Sequence, residues 1–535
     1  MTQHRQILKS VSVIGFFTLI SRILGYVRDA RLTQLLGTSV SADAFLLAFR
    51  IPNLVRRLLS EGSLNASFIP VFTDYMEHRT REEMWRLANR VFWTSALLAS
   101  VVAILGMTFS SFVVQVYSVR SLTQLHVLAT HLNRIMFLYV FFASLTAVAI
   151  AVLNSFQVFA MPAAAPMFLN LTFILFSLSF LVKRFHSPAE ALAASVLVGG
   201  IVQFLVQLPQ VVRRGMHFNF GISFRDPGVL RVAKLMVPAF FGVGVAHITV
   251  LVGTLFATDR RMPVGSLTSL YLSDRIMELV LGVYALAVAT AILPAMSRQA
   301  SARDIGGLKV TLGFALRIVS FITVPAAVGL VVLRQPIVQV LFQHGQFGAD
   351  SARLTSRALL YFALGLPVFA AVKLIVAAFY STQDTKTPVL TACAALSANL
   401  ALNVIFVAWC LRSLQNGAPA LAAVLATYVN FVLLTAILRR RIGPLGERAI
   451  GASFAKACVC AAAMGAACAS GLHAVHFQAI VYFLPRLGVF LALLAGGTAV
   501  YFGLARILGC QELGELYGLI SRSERGKPAA TIPLA

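Results

Sequence analysis

Residues 132–155 read LNRIMFLYVFFASLTAVAIAVLNS. Beyond Arg134 the run carries no charged side chain. A helix crossing the hydrocarbon core of a bilayer needs about 20 predominantly apolar residues, and this stretch supplies them. Similar runs recur on both sides of it, near residues 10–34, 40–71, 89–117, 162–182, 190–211, 229–256 and 266–296. They continue near 308–333, 354–380, 387–411, 417–438, 450–472 and 480–505, which makes fourteen expected spans. Apolar residues form 59% of the 535-residue chain and charged residues 12%, about half the charge of a soluble domain. The expected fold class is therefore an all-α integral membrane protein.

The net charge is +25. No basic stretch is interleaved with aromatics as a nucleic-acid groove requires, so the excess is read as loop arginine and lysine facing anionic lipid headgroups. One set of alternate loops is rich in them: Arg5 and Lys9, then Arg79, Arg81 and Arg86, then Arg213, Arg214, Arg225 and Arg231, then Arg298 and Arg303, then Arg439 to Arg441. The other set is sparser, with Arg120, Lys183, Arg184, Arg260, Arg261, Arg334 and Arg412. The positive-inside rule then puts both termini in the cytoplasm. The first apolar run carries Arg22, Arg28 and Asp29 with no small-residue cleavage site after it, so it is read as a retained helix rather than a signal peptide.

The chain also repeats itself. Val114-Gln115-Val116-Tyr117 recurs as Val338-Gln339-Val340-Leu341, a shift of 338 − 114 = 224. Phe68-Ile69-Pro70 matches Ile292-Leu293-Pro294 at 294 − 70 = 224, and the turn from Asn154 to Pro162 matches that from Tyr380 to Pro388 at 388 − 162 = 226. Six spans fit in one repeat. An even number preserves topology, so the expected architecture is two parallel lobes, residues 1–220 and 221–445, related by an axis along the membrane normal. Residues 446–535 add two further helices and a tail.

Charge inside a span is costly, about 2.5–3.5 kcal/mol per residue at the bilayer centre. Span one nevertheless holds Arg22, Arg28 and Asp29; span two holds Asp43, Arg50, Arg56, Arg57 and Glu61; span eight begins with Asp274, Arg275 and Glu278. The economical arrangement turns them toward a water-filled cavity between the lobes. Arg22 and Asp29 are seven apart and share a helix face, with Arg28 about 100° around. Asp43 and Arg50 are likewise seven apart, whereas Pro52 leaves the direction of Arg56 open. Mutual pairing or snorkelling to the interface is the competing reading. Excess arginine in a cavity suits an anion, because the guanidinium fork matches phosphate oxygens two at a time.

Other features carry no chemistry. Cys458 and Cys460 lack a histidine at metal-ligand spacing, and the six cysteines are read as packing residues. His247 lies on an apolar helix and is read as packed or cavity-lining. Asn399 and Asn403 are read as an interhelical hydrogen-bonding pair, with a cation site as the alternative. No phosphate-binding loop, zinc-protease motif or nucleophile–base set occurs, which argues against a nucleotide-driven pump and against an enzyme acting on lipid pyrophosphates. No cofactor or metal is expected.

The charged residues also carry a family resemblance. Ser21-Arg22-Ile23-Leu24-Gly25-Tyr26-Val27-Arg28-Asp29 resembles the first-span signature of the MurJ (MviN) family. Ala42-Asp43-Ala44-Phe45, Ile51-Pro52-Asn53-Leu54-Val55-Arg56-Arg57, Ser273-Asp274-Arg275-Ile276-Met277-Glu278 and Phe342-Gln343-His344-Gly345-Gln346-Phe347 are similar to further family motifs. So is the stretch from Phe379 to Pro388. The resemblance implies a fourteen-helix fold of the multidrug/oligosaccharidyl-lipid/polysaccharide exporter superfamily. It implies a flippase for lipid II, the undecaprenyl-pyrophosphate-linked disaccharide-pentapeptide, in the bacterial inner membrane. By motif match the substrate-binding residues would be Arg22, Arg28, Asp29, Asp43, Arg56 and Arg275. Some relatives hold sodium with acids in the second lobe; span eleven offers only Asn399 and Asn403, so sodium coupling is not implied. The alternative within the superfamily is export of another polyprenyl-linked oligosaccharide or of small drugs, and a basic cavity disfavours cationic drugs.

Overall fold

The computed structural model describes residues 3–58, 63–118, 120–283, 285–480 and 482–515. Among them every regular element is helical. Nine helices among the described residues are long and apolar enough to cross a membrane, and the chain is a multi-pass membrane protein. Each of the fourteen expected stretches falls on a helix or on two consecutive ones.

The order of elements repeats. The first series is α1 (Gln3–Leu36), α2 (Val40–Arg56), α3 (Ser63–His78), α4 (Arg81–Thr108), α5 (Ser110–Tyr117), α6 (Thr123–Phe137), α7 (Tyr139–Ser155), α8 (Ala160–Phe176), α9 (Ser179–Val182) and α10 (Pro188–Arg213). The second is α11 (Pro227–Ala257), α12 (Ser266–Val283), α13 (Ala285–Ser301), α14 (Ile305–Val332), α15 (Arg334–Phe342), α16 (Ala349–Ser381), α17 (Lys386–Trp409), α18 (Leu411–Leu414) and α19 (Ala418–Ile442). Two helices follow, α20 (Glu447–Val475) and α21 (Phe483–Ile507). The starts of α11, α14 and α15 lie 227 − 3, 305 − 81 and 334 − 110 = 224 residues after those of α1, α4 and α5. The turns before α8 and α17 share a rarer feature. Gln157 and Gln383 both adopt left-handed backbone, at φ 58° and 60°, and 383 − 157 = 226.

Two compact units result: residues 1–269 with 342–354, and residues 270–341 with 355–535. In the first, Phe68, Phe72, Leu87, Val91, Val148 and Val152 form an apolar core among α3, α4 and α7, with Trp85 stacked on Phe156 at 5.6 Å. In the second, α20 and α21 pack beside α14 through Phe321, Cys460, Met464 and Ala505, and Tyr501 donates its hydroxyl to the Phe321 carbonyl at 2.7 Å. The tail after α21 is tied down as well: Ser453 donates to Glu512 at 2.8 Å. All six cysteines are free thiols.

Candidate functional site

The charges in the second half of α1 lie against α8 and the residue that follows it. Asp29 is 5% exposed. Its Oδ1 accepts both Nε and Nη2 of Arg28, at 3.0 and 2.7 Å, which fixes the guanidinium plane. Arg28 Nη1 donates to Asn170 Oδ1 on α8 at 3.1 Å, and the Asn170 amide donates to the Ser21 carbonyl of α1 at 3.0 Å. The guanidinium also lies 6.0 Å from the Phe173 ring centroid. One turn on, Arg31 reaches Ser177, giving Nε to the hydroxyl at 3.1 Å and Nη2 to the carbonyl at 2.8 Å. Asn170 thus knits α1 to α8. Neither it nor Arg31 stood out in the sequence; the available signal was a lone carboxamide amid the apolar run of α8. Arg22 is exposed on the same helix.

Asp43 does something different. Ser39 caps α2 by accepting from the Ala42 N–H, and Asp43 follows in its first turn, 3% exposed. Its Oδ2 accepts the Gly265 N–H at 2.8 Å; its Oδ1 accepts the Thr268 N–H at 2.8 Å and the Thr268 hydroxyl at 2.6 Å. The carboxylate therefore satisfies the open N–H groups at the start of α12 and faces the positive end of that helix. Three glycines allow the close approach there. Gly37, Gly265 and Gly345 all have positive φ, and a Cβ on any of them would stand 2.3–2.5 Å from a backbone oxygen of a facing turn. The Gln346 N–H donates to the Gln34 carbonyl at 3.0 Å, and Thr38 and Ser351 share a hydrogen bond of 2.7 Å. The α1–α2 turn thus joins the segment Phe342–Phe347 and the α11–α12 turn into a collar.

Arg50 of α2 donates to the Thr254 hydroxyl of α11. Arg56 turns back on its own helix, donating from Nε and Nη2 to Asn53 at 3.1 and 2.9 Å, so Pro52 has not broken α2 before it. Glu61 and the His247 side chain lie outside the described residues. In the second unit, Arg275 is half-exposed, pairs with Glu278 at 3.1 Å, and lies over the Tyr271 ring at 5.4 Å. The structure therefore brings Arg28 and Asp29 together, and sets Asp43 and Arg56 each among separate partners. Asn403 donates to Asn399 within one helix. Among the described residues no cluster of three His, Cys, Asp or Glu side chains is arranged to hold a metal.

A family model described as "Lipid II flippase MurJ" matches residues 32–490. The chain belongs to that family. A probable lipid II flippase MurJ of Vibrio cholerae is 36% identical over 443 residues, 81% of this chain and 83% of its own length. That of Haemophilus influenzae is 32% identical over 510 residues, 91% of this chain and 98% of the relative. A solved structure of lipid II flippase MurJ in an inward closed conformation superposes with a TM-score of 0.74 at 24% identity, covering 92% and 98% of the two chains. An inward-facing multidrug resistance MATE family transporter of the MOP superfamily gives 0.68 at 16%, covering 80% and 96%. Both structural likenesses concern the fold. The MurJ family model begins after Arg28 and Asp29, and it includes Asp43, Arg56 and Arg275.

Proposed function

We propose that this chain translocates lipid II from the cytoplasmic to the periplasmic leaflet of the bacterial inner membrane. It does so by alternating access, with both termini cytoplasmic and with residues 1–220 and 221–445 acting as the two lobes. The supporting observation is the Arg28–Asp29–Asn170 cluster, a guanidinium oriented by its partners and only 11% exposed on α1, the helix read as the first span. Keeping such a charge in a span costs several kcal/mol, which a purely structural helix would avoid. In this reading Arg28, Arg275, Arg56 and Arg22 receive the pyrophosphate through charge-assisted bonds, each contributing about 1.5–3 kcal/mol. Asp29 orients Arg28. Asp43 acts by holding α12 at the periplasmic collar, which must open for release. Transport needs no covalent step, so no catalytic residue or cofactor is invoked.

The second reading, export of a different polyprenyl-linked oligosaccharide, rests on the same arginines, because the pyrophosphate is common to both cargoes. A translocation assay in proteoliposomes separates them. Fluorescent lipid II is placed in one leaflet, and loss of its signal to an impermeant reductant is followed alongside a polyprenyl-pyrophosphate glycan lacking the pentapeptide. Selective movement of lipid II supports the proposal. Equal movement of both supports the second reading, and movement of neither refutes the two together.

A further inference from the structure

Between α10 and α11 the chain reads Met216-His217-Phe218-Asn219-Phe220-Gly221-Ile222-Ser223-Phe224. Apolar side chains stand at every second position, separated by His217, Asn219, Gly221 and Ser223, although the segment is neither helix nor strand. At Phe218 the chain makes a tight turn, the Asn219 N–H donating to the His217 carbonyl at 2.9 Å; beyond it, alternation along an extended chain puts Phe220, Ile222 and Phe224 on one edge. The first two apolar side chains of the segment are covered: Met216 is buried, and Phe218 packs on Phe92 with ring centroids 5.1 Å apart. Phe220 touches Trp93 at 5.1 Å but is 74% exposed; Ile222 and Phe224 are 37% and 52% exposed. Two hydrogen bonds run the segment along α4: the Asn219 N–H donates to Asn89 at 3.1 Å and the Ser223 N–H to Thr94 at 3.4 Å.

Those anchors set a depth. From Arg90 the uncharged part of α4 runs on to Thr108. Those 108 − 90 = 18 residues at about 1.5 Å each span about 27 Å, close to the thickness of a bilayer's hydrocarbon core. Arg90 therefore marks the headgroup level at the basic end, where it pairs with Asp226, the cap of α11. Asn89 and Thr94 bracket that level, so Phe220, Ile222 and Phe224 emerge at the membrane interface and not in bulk water. Exposed Arg213, Arg214 and Arg225 flank them. The adjoining stretch of α4 supplies Trp85 and Trp93, the residue type enriched at such depths.

We infer that residues 216–225 form an interfacial strap that docks on the anionic lipid surface of the leaflet at the basic end. Its aromatic edge inserts below the headgroups, and Arg225 with the flanking Arg213 pairs with lipid phosphates. The link between the two repeats is then held to the bilayer by lipid as well as by α4. A soluble protein or a second copy of the chain could cover the same edge, but neither explains the match between anchor depth and flanking charge.

The test uses the full chain in vesicles of phosphatidylethanolamine with and without phosphatidylglycerol. Phe224→Trp puts a reporter on the apolar edge and His217→Trp one on the polar edge, each read as a difference from the parent. Lipids brominated near the glycerol end of the acyl chain should quench the apolar-edge reporter at least twofold more than the polar-edge reporter, and aqueous acrylamide should do the reverse. Arg213→Gln with Arg225→Gln should roughly halve the bromolipid quenching in anionic vesicles and leave it unchanged in neutral ones. Equal quenching of the two reporters by acrylamide, with no bromolipid effect, overturns the strap. Protection of the apolar-edge reporter from both quenchers overturns it in favour of a protein cover. An unchanged response of the double arginine variant overturns the role of anionic lipid. If Phe224→Trp fails to fold, Ile222→Trp reads the same edge.

Discussion

The two repeats keep the same breaks in their backbone and differ in where they put charge. α4 and α14 have equal length and end at matching breaks, before α5 and α15. The same left-handed glutamine stands in the turn before α8 and in the turn before α17. Yet α1 carries Arg22, Arg28 and Asp29, whereas its counterpart α11 has no Asp, Glu, Lys or Arg between Lys234 and Asp259. The reverse holds at the later turn: Asp384 in the second repeat stands where the first has Val158. Backbone breaks are set by packing, which both copies must satisfy. Charges are kept only where a partner or a ligand repays their desolvation, as Asn170 does for Arg28 and Arg441 does for Asp384.

The largest effect should come from Asp43, which one repeat uses to hold the other's helix start. Asp43→Ala strands the Gly265 and Thr268 N–H groups, and each buried unmet donor costs about 1–3 kcal/mol. The thermal midpoint in detergent should fall by several degrees. Ser269, its counterpart at 43 + 226, should tolerate alanine with a much smaller loss. Comparable losses at both sites would break the asymmetry.

Next is Asn170→Ala, which removes one bond to Arg28 and one to the Ser21 carbonyl. Translocation should drop by about tenfold with a stability loss of about 1–2 kcal/mol. Leu396→Ala, at the equivalent point of α17, should leave transport near the parent's rate. Normal transport by Asn170→Ala would show that Arg28 needs no orientation from α8.

Smaller still is the effect of acid at the two turns. Asp384 accepts the Thr387 hydroxyl at 2.6 Å and the Thr387 and Lys386 N–H groups at 3.0 Å each, and pairs with Arg441. The Thr387 bonds above all, with Arg441, lower its pKa to about 2. A carboxyl lowered on folding contributes stability that is complete above its unfolded value, near 4, and is lost as pH falls toward 2. Hydrogen-exchange protection around residues 383–388, taken relative to the intrinsic rate at each pH, should therefore fall between about pH 4 and 2, while that of residues 157–162 stays unchanged. Asp384→Asn should abolish the difference.

The spans were legible because hydropathy and length are local properties. The repeat was legible because Pro70 and Pro294, and Pro162 and Pro388, punctuate matching places. The breaks at Phe109 and Leu138 were not, since neither Gly nor Pro stands at them and no side chain caps the helices that follow. The charges of α1 and α2 stood out by their cost, but their partners did not. Asn170 is 142 residues from Arg28, and Thr268 is 225 from Asp43. No local pattern reports a pairing at that range, so a carboxylate that holds a helix start reads in sequence like one that lines a cavity.

The most direct measurement is translocation of fluorescent lipid II by Arg28→Ala, Arg28→Lys and Asp29→Ala at equal membrane abundance, with complementation of a flippase-depleted strain in parallel. Arg28→Ala should support neither transport nor growth, and Arg28→Lys, which keeps the charge but loses the planar fork, should transport at an impaired rate. Asp29→Ala should also fail, although it raises the positive charge, because the guanidinium is no longer oriented. Parent-like transport by Arg28→Ala would contradict the account and leave the α1 charges a structural clamp on α8.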